Sequence, residues 1–263
     1  MHCIGVDLAW SPRNSSGGSV LQVDGETARE IGWHRGLESD DEIIAFIAEV
    51  ASTGPALVAV DAPLAVPNEG GARLCDREIT RVFGRFQAGA YPASRRLLGR
   101  YGGLRAERLA KRIVGELGFA HDPYIERRTD TRQVVEVFPH PGMVALFGLD
   151  KTLKYKRGSV NQRRAELARL QAYLLALADM APALQVSDGW QRDIAALNGR
   201  LLKQYEDLLD SLFCAFTVAY CWYHGPTHYQ VFGSVKDGHI LVPIPPDQRP
   251  RLGLTTRGAP MPG

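Results

Sequence analysis

The sequence predicts an α/β protein with a mixed sheet. Its first 62 residues run strand, hairpin, strand, helix, strand. The last of these strands, 56–62, is nearly all apolar, as expected where both faces are covered. Apolar helical patterns then fill much of 161–223.

Residues 2–9 read as a buried strand, and Ser15-Ser16-Gly17-Gly18 supplies a turn into a second strand at 19–23. A third strand at 28–34 completes an antiparallel meander. Ser39-Asp40-Asp41-Glu42 reads as a capped helix start with acids in its first turn, and Ile43, Ile44, Phe46, Ile47 and Val50 form its apolar stripe. After the strand at 56–62, the segment 63–130 turns to Pro, Gly and Arg, with helical patterns near 71–84 and 104–118. It is expected to be a helical, basic subdomain inserted into a single domain spanning 1–263. Strand character returns at 132–138, followed by a short helix at 139–147 with proline in its first turn. Helices are expected at 161–179, 190–202 and 204–223. Tyr229–Val235 and His239–Val242 flank Lys236-Asp237-Gly238, a hairpin signal. The proline-rich tail after Pro243 is expected to be an exposed, irregular strip.

With 45% hydrophobic residues, 23% charged residues and a net charge of +2 over 263 residues, the composition is that of an ordinary globular protein, neither disordered nor fibrous. No run approaches the roughly 18 apolar residues of a membrane span, and the chain opens almost at once on a strand. A cytoplasmic protein with no membrane partner is expected. Cys3, Cys75, Cys214 and Cys221 have neither zinc-ligand nor redox spacing and are expected to be reduced core residues.

Acids stand where elements end. Asp7 closes Cys3-Ile4-Gly5-Val6, Asp61 closes Leu57-Val58-Ala59-Val60, Glu136 follows Val134-Val135, and Asp207 and Asp210 open an apolar helix. An unpaired buried charge costs several kcal/mol or shifts toward neutrality, so converging acids point to bound cations. Hard cations take oxygen ligands, with one or two carboxylates per ion. Four or five acids therefore fit two ions, Mg²⁺ or Mn²⁺, of the kind that stabilise both oxygens of an in-line phosphoryl displacement. Bland explanations stand beside this one: a turn residue for Asp61, an exposed edge position for Glu136, and helix-dipole complementarity for Asp207 and Asp210, which share one helix face.

The order of these motifs resembles the ribonuclease H-like superfamily, with the Holliday-junction resolvase branch closest at the helix Asp207-Leu208-Leu209-Asp210-Ser211-Leu212. More narrowly, the chain resembles the family called domain of unknown function 429, on Val60-Asp61-Ala62-Pro63-Leu64, Arg73-Leu74-Cys75-Asp76-Arg77, Glu136-Val137-Phe138-Pro139-His140 and Asp237-Gly238-His239-Ile240. The resemblance implies a five-stranded mixed sheet with its first three strands antiparallel, flanked by helices. It also implies a metal site of Asp7, Asp61, Glu136 and the Asp207/Asp210 pair, in which Asp7, Asp61, Glu136 and Asp210 are catalytic and the metal-binding member of the pair is open. Ser211 stands where many relatives have alanine, a change expected to be harmless to packing.

Between Arg73 and Arg112, eleven basic residues against three acidic ones give a local charge of about +8. Arg73, Arg77, Arg81 and Arg85 recur every four residues, a stripe suited to phosphates if the segment is helical and equally to a solvated face. Lys154, Lys156 and Arg157, in an expected loop after the Glu136 strand, are further candidate phosphate contacts. His121 and His140 are candidate proton donors. The leading expectation is a metal-dependent nuclease acting on DNA or RNA. The competing ones are an ATP-dependent phosphotransferase of the actin-like superfamily, which lacks the paired glycine-rich loops it needs here, and a non-catalytic nucleic-acid-binding adaptor.

Overall fold

The computed structural model describes residues 1–255. A seven-stranded sheet has the order β5-β6-β4-β1-β2-β3-β7, with β1 His2–Asp7, β2 Ser16–Asp24, β3 Thr27–Leu37, β4 Ala56–Val60, β5 Ala120–His121, β6 Arg132–Glu136 and β7 Ala183–Gln185. β1, β2 and β3 are antiparallel neighbours, while β4, β6, β5 and β7 each join by parallel pairing. The sheet is thus mixed and mostly parallel. Five strands were expected; β5 and β7 add one at each edge, and at two and three residues they are too short to leave a periodic signal.

Helices cover both faces. Strand alternation sends Ile4, Val6, Val58 and Val60 to one side, where α1 (Asp40–Val50) and α4 (Arg105–Leu117) pack through Ile43, Ile47, Leu109 and Ile113. Cys3, Leu57, Ala59 and Val135 face the other side, covered by α5 (Pro139–Leu146), α6 (Val160–Ala176) and α7 (Gly199–His224). On this second side α2 (Leu74–Phe83) packs on a separate hairpin, β8 (Tyr229–Ser234) with β9 (Gly238–Pro243). The one-turn helices α3 (Arg95–Leu98) and α8 (Arg249–Leu252) complete the fold. The segment 63–130 is helical as expected, but α4 joins the core of the first face and α2 that of the second, so it has no core of its own.

Three other expectations are corrected. The turn after β1 lies at Ser11–Asn14, whereas Gly17 and Gly18 are inside β2. A Cβ at Gly17 would stand 2.4 Å from the Asp207 carbonyl oxygen and one at Gly18 2.7 Å from Phe46, so these glycines permit close approach instead of a turn. The helices expected at 190–202 and 204–223 are one 26-residue helix starting at Gly199, preceded by short 3-10 turns at Asp188–Trp190 and Ile194–Ala196. No breaker separates Leu202 from Gln204, so the pattern continues. The tail is not an exposed strip as far as it is described: Ile244 and Leu252 are buried, and Arg249 donates to the carbonyls of Thr227 and Tyr229. Residues 256–263 of that tail lie outside the described residues.

α7 is pressed onto the sheet. A Cβ at Gly5 would lie 1.9 Å from the Ser211 carbonyl oxygen and 2.4 Å from the Ala215 amide nitrogen. Asp207, Ser211 and Ala215, spaced by four, therefore ride over Gly17 and Gly5 on one helix stripe. The Ser211 hydroxyl is not a neutral replacement for alanine here. It meets the Ser19 hydroxyl at 2.6 Å and donates to the Leu208 carbonyl at 2.8 Å, so Ser19 is satisfied inside the core. No helix among the described residues is long and apolar enough to cross a membrane.

Candidate functional site

A cleft of about 2130 Å³ opens at the carboxyl ends of β1, β4 and β6, and Asp7, Asp61, Glu136, Asp207, Lys154 and Lys156 are among its lining residues. The register explains the meeting. Val6 pairs with Val60 and Val60 with Glu136, so Asp7 and Asp61 leave adjacent parallel strands at one level. By alternation both belong to the face that α7 covers, with Gly5 and Ala59. Both keep part of their surface open to the cleft.

α7 supplies the other acids from its interior, not its start. Asp207 is the ninth residue of the helix, Asp207 and Asp210 are 5% and 0% exposed, and helix-dipole complementarity does not account for them. Burial, then the charge of Asp7, pushes the Asp207 carboxyl from an ordinary 3.8 to about 8, so that at neutral pH it holds a proton and bonds to Asp7. Burial also raises Asp7, and raises Asp61 well above the carboxylate range. The Asp61 side chain makes no hydrogen bond or ion pair within the described residues.

Two ammonium groups enter this cluster. Lys203, one turn before Asp207, reaches its Oδ1 at 2.6 Å and Glu206 at 2.8 Å. Lys156 comes from the loop joining α5 to α6, its Nζ 2.7 Å from Asp210 Oδ2, with a third of its side chain (33%) open to the cleft. Desolvation opposes its charge, but Asp210, Asp7, Tyr155 and Asp61 hold its pKa well above the ordinary value. The buried Tyr155 hydroxyl donates to Asp210 Oδ1 at 2.6 Å, while Asp210 Oδ2 meets the Lys156 ammonium. Among the described residues no three His, Cys, Asp or Glu side chains stand in metal-holding geometry, and two of the acids are ion-paired with lysines. The donor chemistry nevertheless suits a hard cation: oxygen ligands only, with four carboxyl groups beside two ammonium groups.

Glu136 is differently placed. In register with Val60, it stands outside the row of Asp61. Arg73 donates to both its oxygens, at 2.8 and 2.6 Å, and the Leu64 amide donates at 2.8 Å. Arg73 is 3% exposed and also donates to Asp76 and the Ala65 carbonyl. It is a buried staple, not a phosphate contact, so the arginine stripe loses its first member. Arg77 and Arg81 are exposed on α2 and do not line the cleft, whereas Lys154, Lys156 and Arg157 do. Arg157 donates to the Tyr91 hydroxyl at 2.8 Å across the rim.

The two histidines separate. His121 lies beside His239, ring centroids 5.1 Å apart, and away from the cleft lining. His239 accepts the Glu136 amide proton and fixes that strand end. His140 lines the cleft and bonds to the Thr152 hydroxyl, but burial and then Lys156 lower its pKa to about 4, so it is a neutral ring at pH 7. Sequence reasoning missed Tyr155 and Lys203. The latter had a signal, a lysine four residues before an acid on a helix; Tyr155 was hidden inside a basic run.

These shifts set a pH dependence. A carboxyl raised above its unfolded value binds more protons when folded, so stability falls as pH rises through that window. Buried histidines act oppositely below about 6.5, where His140 and His239, held near 4 and 3, lose stability as they are forced to charge. The metal-free protein should therefore be more stable at pH 6.5 than at pH 8, by about 1 kcal/mol from Asp207. Denaturant titrations at both pH values check this, and Asp207→Asn should flatten the difference.

Residues 5–231 match the family model described as "Protein of unknown function (DUF429)". No curated protein matches the chain.

Proposed function

The chain belongs to the DUF429 family, and from that premise we propose that it hydrolyses phosphodiester bonds of nucleic acid with the help of divalent cations, on a ribonuclease H-like core. The five central strands, β3-β2-β1-β4-β6 with the first three antiparallel, support that reading of the fold. One observation carries the activity. Asp7 and Asp61 leave adjacent strands side by side, open to a large cleft, against two further acids of α7.

Asp7 and Asp61 would hold the cation, Mg²⁺ or Mn²⁺, with Asp207 and Asp210 behind them. When bound, it supplies a water of lowered pKa and charge to neutralise a phosphate. The protein's own residues do the rest. Tyr155 and Lys156 fix the Asp210 carboxylate, and Arg73 holds Glu136 immobile at the cleft floor. Lys154 and Arg157 at the rim attract a phosphate backbone, giving affinity without sequence preference. Neutral His140 contacts Thr152 and Tyr155 and orders the wall of the same loop.

Incubating the purified protein with single-stranded, duplex and branched DNA and RNA in Mg²⁺ or Mn²⁺ tests this. Cleavage that stops with a chelator is the expected result. The lysines already paired with Asp207 and Asp210 favour a second reading, an adaptor that binds without turnover. Binding with a steep salt dependence, indifferent to metal and without cleavage, would select it.

A further inference from the structure

We infer that the cleft takes a single strand of nucleic acid, holding its phosphates on a basic rim and stacking an unpaired base on the ring of Tyr91. The inference rests on the nucleic-acid reading above and narrows its substrate class, since nothing in that reading separates single strands from duplex. An exposed ring beside unpaired cations carries it. Tyr91 lies in the loop between α2 and α3, lines the cleft and, at 63%, is the most exposed Phe, Tyr or Trp among the described residues. Arg157 steadies this ring without covering it. Its Nη2 donates to the Tyr91 hydroxyl at 2.8 Å, and its guanidinium carbon stands 5.5 Å from the ring centroid. A ring face is left for a base, with a guanidinium beside it for the adjoining phosphate. A second ring, Trp10, three residues beyond Asp7, also lines the cleft and meets Tyr101 edge-on at 5.9 Å.

The rim supplies the complementary charge. Arg13, Lys151, Lys154 and Arg157 are exposed lining residues, and among the described residues none of them has a carboxylate within ion-pairing distance. The exposed acids of the lining, Glu38 and Asp150, are instead paired with Arg200 and Arg251. Rings and cations together select unpaired bases. In a duplex the bases stack on one another and present only their edges in the grooves, so a duplex gains from the rim charge alone. A single strand gains from both, whatever its sequence, because every base has a face to stack.

Fluorescence anisotropy of the full chain with labelled oligothymidine, oligouridine and a duplex of equal length, in EDTA so that binding is read without cleavage, tests this. Single strands should bind at least about tenfold more tightly than the duplex. Tyr91→Leu should weaken single-strand binding at least about fivefold, the low end of what one base stack contributes, and leave duplex binding unchanged. Tyr91→Phe keeps the ring and should retain single-strand binding. Tyr124→Leu, at a similarly exposed tyrosine away from the cleft lining, should change nothing. Duplex bound as tightly as single strands, or single-strand binding indifferent to Tyr91→Leu, overturns the stacking role and leaves the nucleic-acid reading standing. No binding to any of the three, in EDTA or in Mg²⁺, overturns both. Should Tyr91→Leu fail to fold, the preference of the wild type between single strand and duplex decides.

Discussion

Arg73→Met is expected to lose about 3–5 kcal/mol of stability, the range for breaking a buried ion pair from one side. The guanidinium is the only cation paired with Asp76 and Glu136 among the described residues, and all three side chains are at most 4% exposed. Removing it strands two carboxylates that have almost no water. The damage spreads because the same group ties together four chain segments: the end of β6, the Ala65 carbonyl, the first turn of α2 and, through Asp76, the Ala93 amide at 2.9 Å. Denaturant midpoints measure the loss. Adding Glu136→Gln to the variant should recover part of it, since one stranded charge disappears. A variant as stable as the wild type would mean that the triad is not buried as described.

Asp61→Asn should act in opposite directions on stability and activity. Asp61 has no ion-pair partner among the described residues, and burial pushes its carboxyl well above the usual range, so the metal-free protein carries a strained charge or a captured proton there. Asparagine keeps the shape and removes the strain, and the melting temperature of the metal-free protein should rise by a few degrees, on the order of 1 kcal/mol. Cleavage should fall by at least about 10²-fold, because the loss of one pre-placed charged or polar group at a reacting centre typically has effects of that size. Thermal melts with and without Mg²⁺, beside a cleavage assay, read both. Undiminished cleavage would remove Asp61 from the site, and a lower melting point would mean that its charge is compensated in the folded protein.

Much of this was legible in the residues, for identifiable reasons. Asp7 and Asp61 could be placed because each ends an apolar run, and parallel pairing sets such ends at one level whatever the intervening chain does. The closing hairpin was legible from Asp237-Gly238, where Gly238 has φ +87°. What stayed hidden depends on partners far away in sequence. Gly17-Gly18 carried the composition of a turn, and only the backbone of α7 and the ring of Phe46 explain them as strand residues. Arg73 fits an exposed stripe by spacing. Its burial follows from Glu136, 63 residues later. A helix start was expected at 204, whereas α7 begins at Gly199, so Asp207 is its ninth residue and not part of a first turn.

The missing side chains of Gly5 and Gly17 have a mechanical consequence. With helix and strand backbones in direct apposition, the acids of α7 and those of β1 and β4 form one unyielding jaw, set to a spacing that mutation of either glycine would spoil. The opposing jaw, Lys151–Gly158, lies outside regular helix or strand and is fastened by the Thr152 amide on the Phe86 carbonyl and by the side chains of Tyr155 and Arg163. Any give needed to admit a bulky polymer must come from that side.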